Sequence, residues 1–515
     1  MIQKIKQTFP SNKQRWSTYT MTSLPIIFAA MIFALNSFID NFMAIPIPNG
    51  IDKLSYANTW TTLVTGIIAA TTVIGSSLFG QYYGAKDRVN TRYVLRSRML
   101  ISIGITSLFA FPAFIAPEFM INLVGTFKVD PTIVEDSGLY LRIIAVTWLT
   151  GAWGYTSAMI MREAGHGRAS LVSSIISLSM NIALNSMFVF GFGTGIWSLA
   201  VSSIISQIFS VGFNIIFVWV KNKEIIVNPL KIFSISKQIW KQIIRRSSSF
   251  IFISIGSIAV SIRFIFWNAN FYPGQIGKPE YFISAATILG ISGAVFNIFW
   301  STFESIGANT TIFVGRELGN GNLEQAKTNA KELQGFHFVM ALIMGSILLS
   351  FSFIVPHMTF LADGYKEGTI TSLMEKYPSL TISEAVEIAD NGVVEYLNQL
   401  KMTIWPLAGY MPMWIWYMTR SRCISAGGKT NITSLVDASG GLVQTCWISI
   451  LVFVIVPNTN LGFPAAYAIF FLSDLTKVFV FETLFYKLNW GKNLTLETKD
   501  PETISNEIKK SKANY

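Results

Sequence analysis

The acidic residue with the clearest chemical potential in this sequence is Asp40. It stands near the far end of an apolar run, residues 23–44, that is long enough to cross a bilayer as a helix. An ionised carboxylate inside such a helix costs about 2.5–3.5 kcal/mol on insertion scales. Two interpretations follow. Asp40 either reaches the lipid headgroups from the end of its helix, or it binds a proton or a cation within the membrane.

Three further polar residues are predicted to lie at the depth of Asp40. Asn181 and Asn185 share one face of the fifth apolar run because they are four residues apart, and Ser203 lies about two turns into the sixth. With Asp40 they form an all-oxygen set that suits a hard monovalent cation. We predict a coupling site for H⁺ or Na⁺ here, with Na⁺ bound only transiently. The alternative for the asparagines is hydrogen bonding between helices, worth about 0.6–2 kcal/mol each.

The composition places these residues in an all-α, polytopic membrane protein. Of 515 residues, 51% are hydrophobic and only 13% are charged, about half the charged fraction usual in globular chains. Mean hydropathy is +0.47. Hydropathy predicts twelve transmembrane helices. Their approximate ranges are 23–44, 59–79, 99–117, 139–160, 169–190, 196–220, 248–271, 283–314, 336–361, 399–419, 431–456 and 463–486.

The distribution of charge predicts the orientation of the chain. If both termini are cytoplasmic, most of the 39 lysines and arginines fall on inside segments, as membrane proteins prefer. The net charge of +11 therefore needs no nucleic-acid partner. We predict a multi-pass protein of the plasma membrane that keeps its first apolar run, because that run lacks a cleavage site for a signal peptidase.

An internal repeat divides the chain into two parallel halves of six spans. Gly80-x-x-x-Gly84 follows span two, and Gly315-x-x-x-Gly319 follows span eight, both on the inside face. Two-lobed repeats of this kind are typical of secondary transporters. The polar external insertion should form one or two short helices. The predicted domains are an N-lobe (1–220), a cytoplasmic linker (221–248), a C-lobe (249–490) with an external insertion (363–398), and a cytoplasmic tail (491–515).

Four short motifs follow one another along the chain. They are Ile39-Asp40-x-x-Met43, Gly80-x-x-x-Gly84-Ala, Arg162-x-x-Gly165 and the run from Asn181 to Ile196. In this order they resemble the multidrug and toxic compound extrusion (MATE) family. The resemblance implies a V-shaped, two-lobed efflux transporter that exchanges cations for Na⁺ or H⁺, with its ion site in the N-lobe. The sequence departs from many relatives at Asn185, where they have a second Asp, and this weakens the case for Na⁺.

Other polar and aromatic residues are candidates for binding substrate or for movement. We predict that Gln207, Arg263, Glu304 and Trp300 line the substrate cavity, where aromatic rings suit cationic drugs. Arg263 and Glu304 have an alternative interpretation as an ion pair with each other. Asp474 and Lys477, three residues apart in span twelve, are expected to neutralise each other, and the role of Asp437 stays open. Pro25 is a candidate hinge in span one because it removes a backbone donor.

Efflux of organic cations is the favoured function, with two rivals. A flippase for a lipid-linked sugar should show several cavity arginines, and only Arg263 is plainly intramembrane. A membrane enzyme is disfavoured because no catalytic constellation occurs in the outer loops, and scattered cysteines and histidines predict no tightly bound metal. No ATPase motif occurs, so H⁺ or Na⁺ gradients should drive transport. We predict no cofactor and a monomer in the lipid bilayer, with small-molecule organic cations or drugs as partners.

Overall fold

The computed structural model describes residues 8–44, 47, 50–124 and 131–498. Nearly all of these residues are helical, and among them the only β pairing is one isolated bridge. The all-α prediction is therefore confirmed. The helices are α1 (Lys13–Ala44), α2 (Gly50–Gly84), α3 (Arg88–Ile115), α4 (Pro117–Val124), α5 (Pro131–Glu163), α6 (Gly167–Gly191), α7 (Trp197–Lys221), α8 (Lys237–Arg245), α9 (Ser248–Asn270), α10 (Ala285–Gly319), α11 (Leu323–His357), α12 (Asp363–Lys376), α13 (Ile382–Ala426), α14 (Thr430–Asn458), α15 (Phe463–Phe470) and α16 (Leu475–Lys487).

Each predicted span coincides with a helix, but the helices differ in how apolar they are. Within the described ranges, nine helices are long and apolar enough to cross a membrane. The predicted spans without this property correspond to α9, to α13 and to the pair α15–α16, which a 3-10 turn, Phe471–Asp474, joins. The count of twelve spans stays a prediction. Part of the predicted tail, residues 499–515, lies outside the described residues.

The external insertion forms one short helix and the beginning of a long one. One short helix, α12, forms as expected, but α13 is a single helix of 45 residues that continues from the insertion through span ten. It begins with a capping box, in which Thr381 Oγ1 accepts from the backbone N–H of Glu384 and Glu384 accepts from that of Thr381. Of the one or two short external helices that were predicted, one forms separately, and the second helical stretch is the first part of α13. Polar side chains do not end a helix that has no breaking residue at the membrane boundary.

Helix α1 packs against both lobes. Its outer half lies along α6, and Ile26 contacts the backbone where α6 begins at Gly167. Its inner half belongs to the apolar core of the C-lobe, where Tyr19 is fully buried against Phe313 and Phe336. One helix thus contacts the helices around the Asp40 site at one end and the opposite lobe at the other.

The two glycine motifs of the internal repeat pack against each other at the inner end, the end predicted to face the cytoplasm. A Cβ atom at Gly80 would lie 2.9 Å from the carbonyl oxygen of Thr311. A Cβ atom at Gly84 would overlap the backbone of Arg316, and one at Gly319 would overlap the carbonyl oxygen of Gln81. We call Gly80, Gly84, Gly315 and Gly319 the glycine seam. It closes the inner end because only glycine permits backbones to approach this closely.

Residues 488–498, the end of the predicted C-lobe and the beginning of the predicted tail, cover the glycine seam, and we call them the tail segment. Asn493 Nδ2 donates to the carbonyl oxygen of Gly319 at 3.2 Å, and Gln81 Nε2 donates to that of Lys492 at 3.0 Å. Leu494 is fully buried, and its carbonyl accepts from Gln242 of α8 at 3.3 Å. The tail segment therefore connects both lobes with the linker.

The Glu497→Gln variant is expected to loosen the tail segment. Glu497 accepts from Lys492 Nζ at 2.7 Å and forms an ion pair with Arg246 at 3.4 Å. Burial acts to raise the pKa of Glu497, but hydrogen bonds and charge from Lys492 and Arg246 outweigh it and hold the pKa below its usual value. Amide hydrogen exchange in residues 488–498 should be about two- to fivefold faster in the variant at neutral pH.

The difference in amide exchange between wild type and Glu497→Gln depends on pH because the pKa of Glu497 is lowered in the folded protein. A carboxyl group whose pKa is lowered by folding contributes stability above its unfolded pKa and loses it as the pH falls through the folded value. The difference between wild type and variant should thus persist through the ordinary titration range of glutamate and vanish below it. Glu324→Gln, which removes an exposed ion pair with Lys327, is the matched control. Equal exchange in Glu497→Gln and wild type at neutral pH would contradict this assignment.

Candidate functional site

The structure brings together the four residues predicted to form the coupling site, here called the Asp40 cluster. Asn185 Nδ2 donates to Asp40 Oδ1 at 2.8 Å and to Asn181 Oδ1 at 3.1 Å. Ser203 Oγ lies 3.5 Å from Asp40 Oδ2, to which it donates, and it accepts from Asn181 Nδ2 at 3.3 Å. Helices α1, α6 and α7 each contribute to this cluster, and both asparagines are buried. The distances agree with the predicted common depth, while the coupling role stays a prediction.

Two neighbours of the Asp40 cluster were missed by sequence reasoning. Asn36 lies one turn before Asp40 on α1, and its Oδ1 is buried without a hydrogen-bond donor among the described residues. Tyr140 of α5 is buried within electrostatic reach of the Asp40 carboxylate. The four-residue spacing of Asn36 and Asp40 was a usable signal, whereas nothing in the sequence relates Tyr140 to Asp40.

The inner half of α1 is bonded to the C-lobe through polar side chains. Tyr19 OH donates to Glu332 Oε2 at 2.9 Å, and Ser23 Oγ accepts from Asn309 Nδ2 at 2.7 Å. Pro25 lies between these contacts and Asp40, and the helix continues past it. Its role as a hinge stays a prediction.

A large cavity lies between the C-lobe helices and one face of α2. Its volume is about 650 Å³. Trp300 and Trp414 present aromatic surface to it, with their ring centroids 6.0 Å apart. Of the predicted substrate residues, Arg263 and Trp300 line this cavity, which we call the C-lobe cavity, whereas Gln207 does not and packs instead over Gly154 in the N-lobe.

Charged side chains of both signs line the C-lobe cavity. In the described part of the chain they are Arg263, Arg422, Asp437, Asp474 and Lys477. As predicted, Lys477 and Asp474 form an ion pair, with Nζ 3.2 Å from Oδ1. Asp474 also accepts from Trp414 Nε1 at 2.9 Å and from Gln444 Nε2. The cavity therefore contains more basic groups than the single arginine that the sequence indicated.

Glu304 is paired with a different arginine from the one predicted. Its carboxylate lies 2.5 Å from Arg162 Nη1, across the boundary between the lobes, and not against Arg263. The predicted alternative, an ion pair of Arg263 with Glu304, was wrong because a 3-10 turn, Ser301–Phe303, precedes Glu304 and α10 then faces the N-lobe. Sequence separation gives no means to foresee such a contact between lobes.

A buried ion pair beside Glu304 was also missed. Arg98 of α3 and Glu163 at the end of α5 are both almost fully buried, with Nη1 and Oε2 2.5 Å apart. Arg316 of the C-lobe donates to the backbone oxygen of Glu163 at 2.6 Å, and its guanidinium lies 4.9 Å from the ring centroid of Tyr83. These contacts and the Arg162–Glu304 pair reinforce the glycine seam.

The comparisons with known proteins agree with this architecture. Residues 25–187, about a third of the chain, match the MatE family model. A crystal structure of MATE in complex with MaL6 aligns with a TM-score of 0.72 at 15% identity, covering 94% of this chain and 97% of that one. This chain has the MATE fold. The predicted resemblance to MATE transporters is thereby confirmed, and so is the prediction of a nearly all-helical protein with the fold of that family.

Two further solved structures share the MATE fold. An outward-facing multidrug resistance MATE family transporter aligns with a TM-score of 0.67 at 15% identity, over 91% of this chain and 94% of that one. A MOP superfamily transporter from Pyrococcus furiosus, described by a reversed polarity of its binding pocket, aligns with a TM-score of 0.70 at 15% identity, over 94% and 97%. Among curated proteins, none matches this chain.

Proposed function

We propose that this chain is a secondary active efflux transporter of the plasma membrane. It exports organic cations, including antimicrobial compounds, in exchange for H⁺ or Na⁺. The observation that carries this proposal is the position of the Asp40 cluster on α1, because the same helix is bonded to the opposite lobe at its inner end. The MATE fold and the multidrug transporter among its structural neighbours support the same function.

The Asp40 cluster offers the chemistry that an exchanged cation requires. A proton neutralises Asp40 directly. A sodium ion would bind to the carboxylate and to amide and hydroxyl oxygens, the ligand type that hard cations prefer. The buried Oδ1 of Asn185 has no donor in the described structure, and an amide acceptor without a donor can bind a cation. Since H⁺ and Na⁺ both require the same carboxylate, they exclude each other at this site.

Helix α1 provides the connection between the ion and the lobes. Binding at Asp40 removes a charge from the outer half of α1, while Tyr19 and Ser23 hold the inner half against the C-lobe. Pro25 lies between the two and lacks the N–H that would stabilise a straight helix. A change of α1 at Pro25 would therefore alter the contact between the lobes, which is closed here at the glycine seam.

Efflux from proteoliposomes tests the proposed function. The purified protein is reconstituted with a fluorescent organic cation inside, and Na⁺ and H⁺ gradients are imposed separately. At least one gradient should accelerate dye release, because each charge moved across 100 mV supplies about 2.3 kcal/mol. Protein-free vesicles and vesicles with both gradients collapsed are the controls. Release that depends on neither gradient would overturn the antiport proposal.

The second candidate is a flippase for a lipid-linked sugar. It is favoured by one observation, that Arg422 as well as Arg263 lines the C-lobe cavity, because arginine binds phosphate in a bidentate manner. A flippase should move a fluorescent lipid-linked oligosaccharide between leaflets without an ion gradient. The aromatic lining of the cavity and the acidic Asp437 fit a drug better than a pyrophosphate.

A further inference from the structure

Arg263 lines the C-lobe cavity and has no ion-pair partner among the described residues. Its Nε is buried and has no hydrogen-bond acceptor among the described residues. Its guanidinium lies 5.8 Å from the ring centroid of Phe470 and approaches the backbone of α14 at Gly441. Guanidinium groups in such surroundings normally bind a carboxylate or a phosphate, because a buried charge without a partner is costly.

Asp474, the nearest acidic side chain, is not the missing partner of Arg263. Asp474 already accepts from Trp414 Nε1, Gln444 Nε2 and Lys477 Nζ, so its oxygens are engaged. Lys477 is likewise neutralised by Asp474. The charges left over are Arg263 and Arg422 against one acid, Asp437, none of which has an ion-pair partner within the described ranges.

The excess of basic over acidic side chains in the C-lobe cavity disfavours a substrate that carries only positive charge. A bare cation entering the C-lobe cavity would meet three basic side chains, Arg263, Arg422 and Lys477, against two acidic ones, Asp437 and Asp474. A molecule with an acidic group near Arg263 and a basic group near Asp437 would satisfy both signs. Its aromatic body would pack against Trp300, Phe296 and Trp414, which line the same cavity.

We propose that Arg263 forms an anion subsite for the substrate, so that the C-lobe cavity takes amphoteric aromatic compounds with both an acidic and a basic group. This inference rests on the proposed efflux function and narrows its substrate class. Asp437 is the counterpart for the basic group. The shared chemistry at Arg263 is an anionic oxygen group, supplied by a carboxylate of the transported compound.

The test compares two dyes that differ only in this group. The probes are a rhodamine with a free carboxyl group and the methyl ester of the same dye, titrated against the full-length protein and followed by fluorescence anisotropy. Wild type should bind the acid at least about tenfold more tightly than the ester, as expected for a charge-assisted hydrogen bond. Arg263→Gln should lose this preference through weaker binding of the acid alone. Equal affinities of wild type for both dyes would overturn the proposal.

Matched variants separate the subsite from a general effect of charge. Arg142→Gln removes an arginine outside the cavity that pairs with Glu118, and it should leave both affinities unchanged. If Arg263→Gln is not monodisperse, Arg263→Lys replaces it. A lysine keeps the charge without the planar donors, so the acid should bind several-fold more weakly and the ester as before. An unchanged preference in Arg263→Lys would then count against the subsite.

Two further measurements identify the source of the anionic group at Arg263. They also separate this proposal from the proposed antiport function. Added phosphatidylglycerol should not displace the acid dye. If it displaces the dye from wild type but not from the Arg263 variant, a lipid phosphate occupies the subsite and the assignment to a soluble substrate is overturned. Dye binding is measured without ion gradients, so failure of the antiport experiment leaves this result intact. Conversely, gradient-driven efflux with no preference for the acid refutes only the anion subsite.

Discussion

Replacing Asp40 with asparagine is expected to abolish gradient-driven efflux. Asp40 is the acidic residue of its cluster, and its hydrogen bonds come from neutral side chains, Asn185 and Ser203. An amide at this position keeps the size and the hydrogen-bonding capacity but neither titrates nor offers a charge to Na⁺. Dye release under either gradient should fall to the rate of protein-free vesicles, and the dependence on external pH should disappear.

Asp136→Asn is the matched control for Asp40→Asn. It also converts an acid of the N-lobe to an amide, but Asp136 is half exposed and pairs with Lys53 instead of lying in the Asp40 cluster. Its efflux should resemble that of wild type. Binding of the rhodamine acid should survive in both variants, because neither Asp40 nor Asp136 lines the C-lobe cavity. Unchanged transport and unchanged pH dependence in Asp40→Asn would refute the coupling role.

The sequence was informative wherever a local rule applied. Hydropathy located the helices, because apolar side chains must face lipid over the whole thickness of the bilayer. The Asp40 cluster was predicted from the depth of its residues in the membrane, since each helix rises by a fixed amount per residue. Polar groups at the same depth can then contact one another. The Lys477–Asp474 pair followed from a spacing of three residues on one helix.

The sequence was uninformative where contacts cross between lobes. Arg162 and Glu304 are 142 residues apart, and their meeting depends on how the two halves close at the inner end. The packing of α1 against the C-lobe is of the same kind, because Tyr19 and Glu332 share no periodicity. The long α13 was missed for another reason. The change from a polar to an apolar segment suggested a break between the external insertion and span ten, although a helix tolerates polar side chains in water.

A methyl group at Gly319 is expected to open the inner end of the protein. The Cβ atom in Gly319→Ala would overlap the carbonyl oxygen of Gln81 on α2. Since the backbone fixes the position of the Cβ atom and the oxygen is itself a backbone atom, rotation of a side chain cannot relieve this overlap, and α2 and α10 must move apart. Spin labels at Val89 and Glu324, exposed residues of opposite lobes near this end, should show a longer mean distance. Efflux should fall at least about tenfold because the closed inner end becomes less populated.

Gly290→Ala distinguishes this effect from a change in helix propensity. Gly290 lies on the same helix, and a Cβ atom there would meet nothing within 4 Å. Alanine should therefore stabilise α10 slightly, by up to about 1 kcal/mol, and leave both the spin-label distance and efflux as in wild type. The labels require a background in which Cys423 and Cys446 are replaced. If Gly319→Ala keeps the wild-type distance and efflux, the glycine seam does not hold the lobes closed, and the other contacts at this end do so without it.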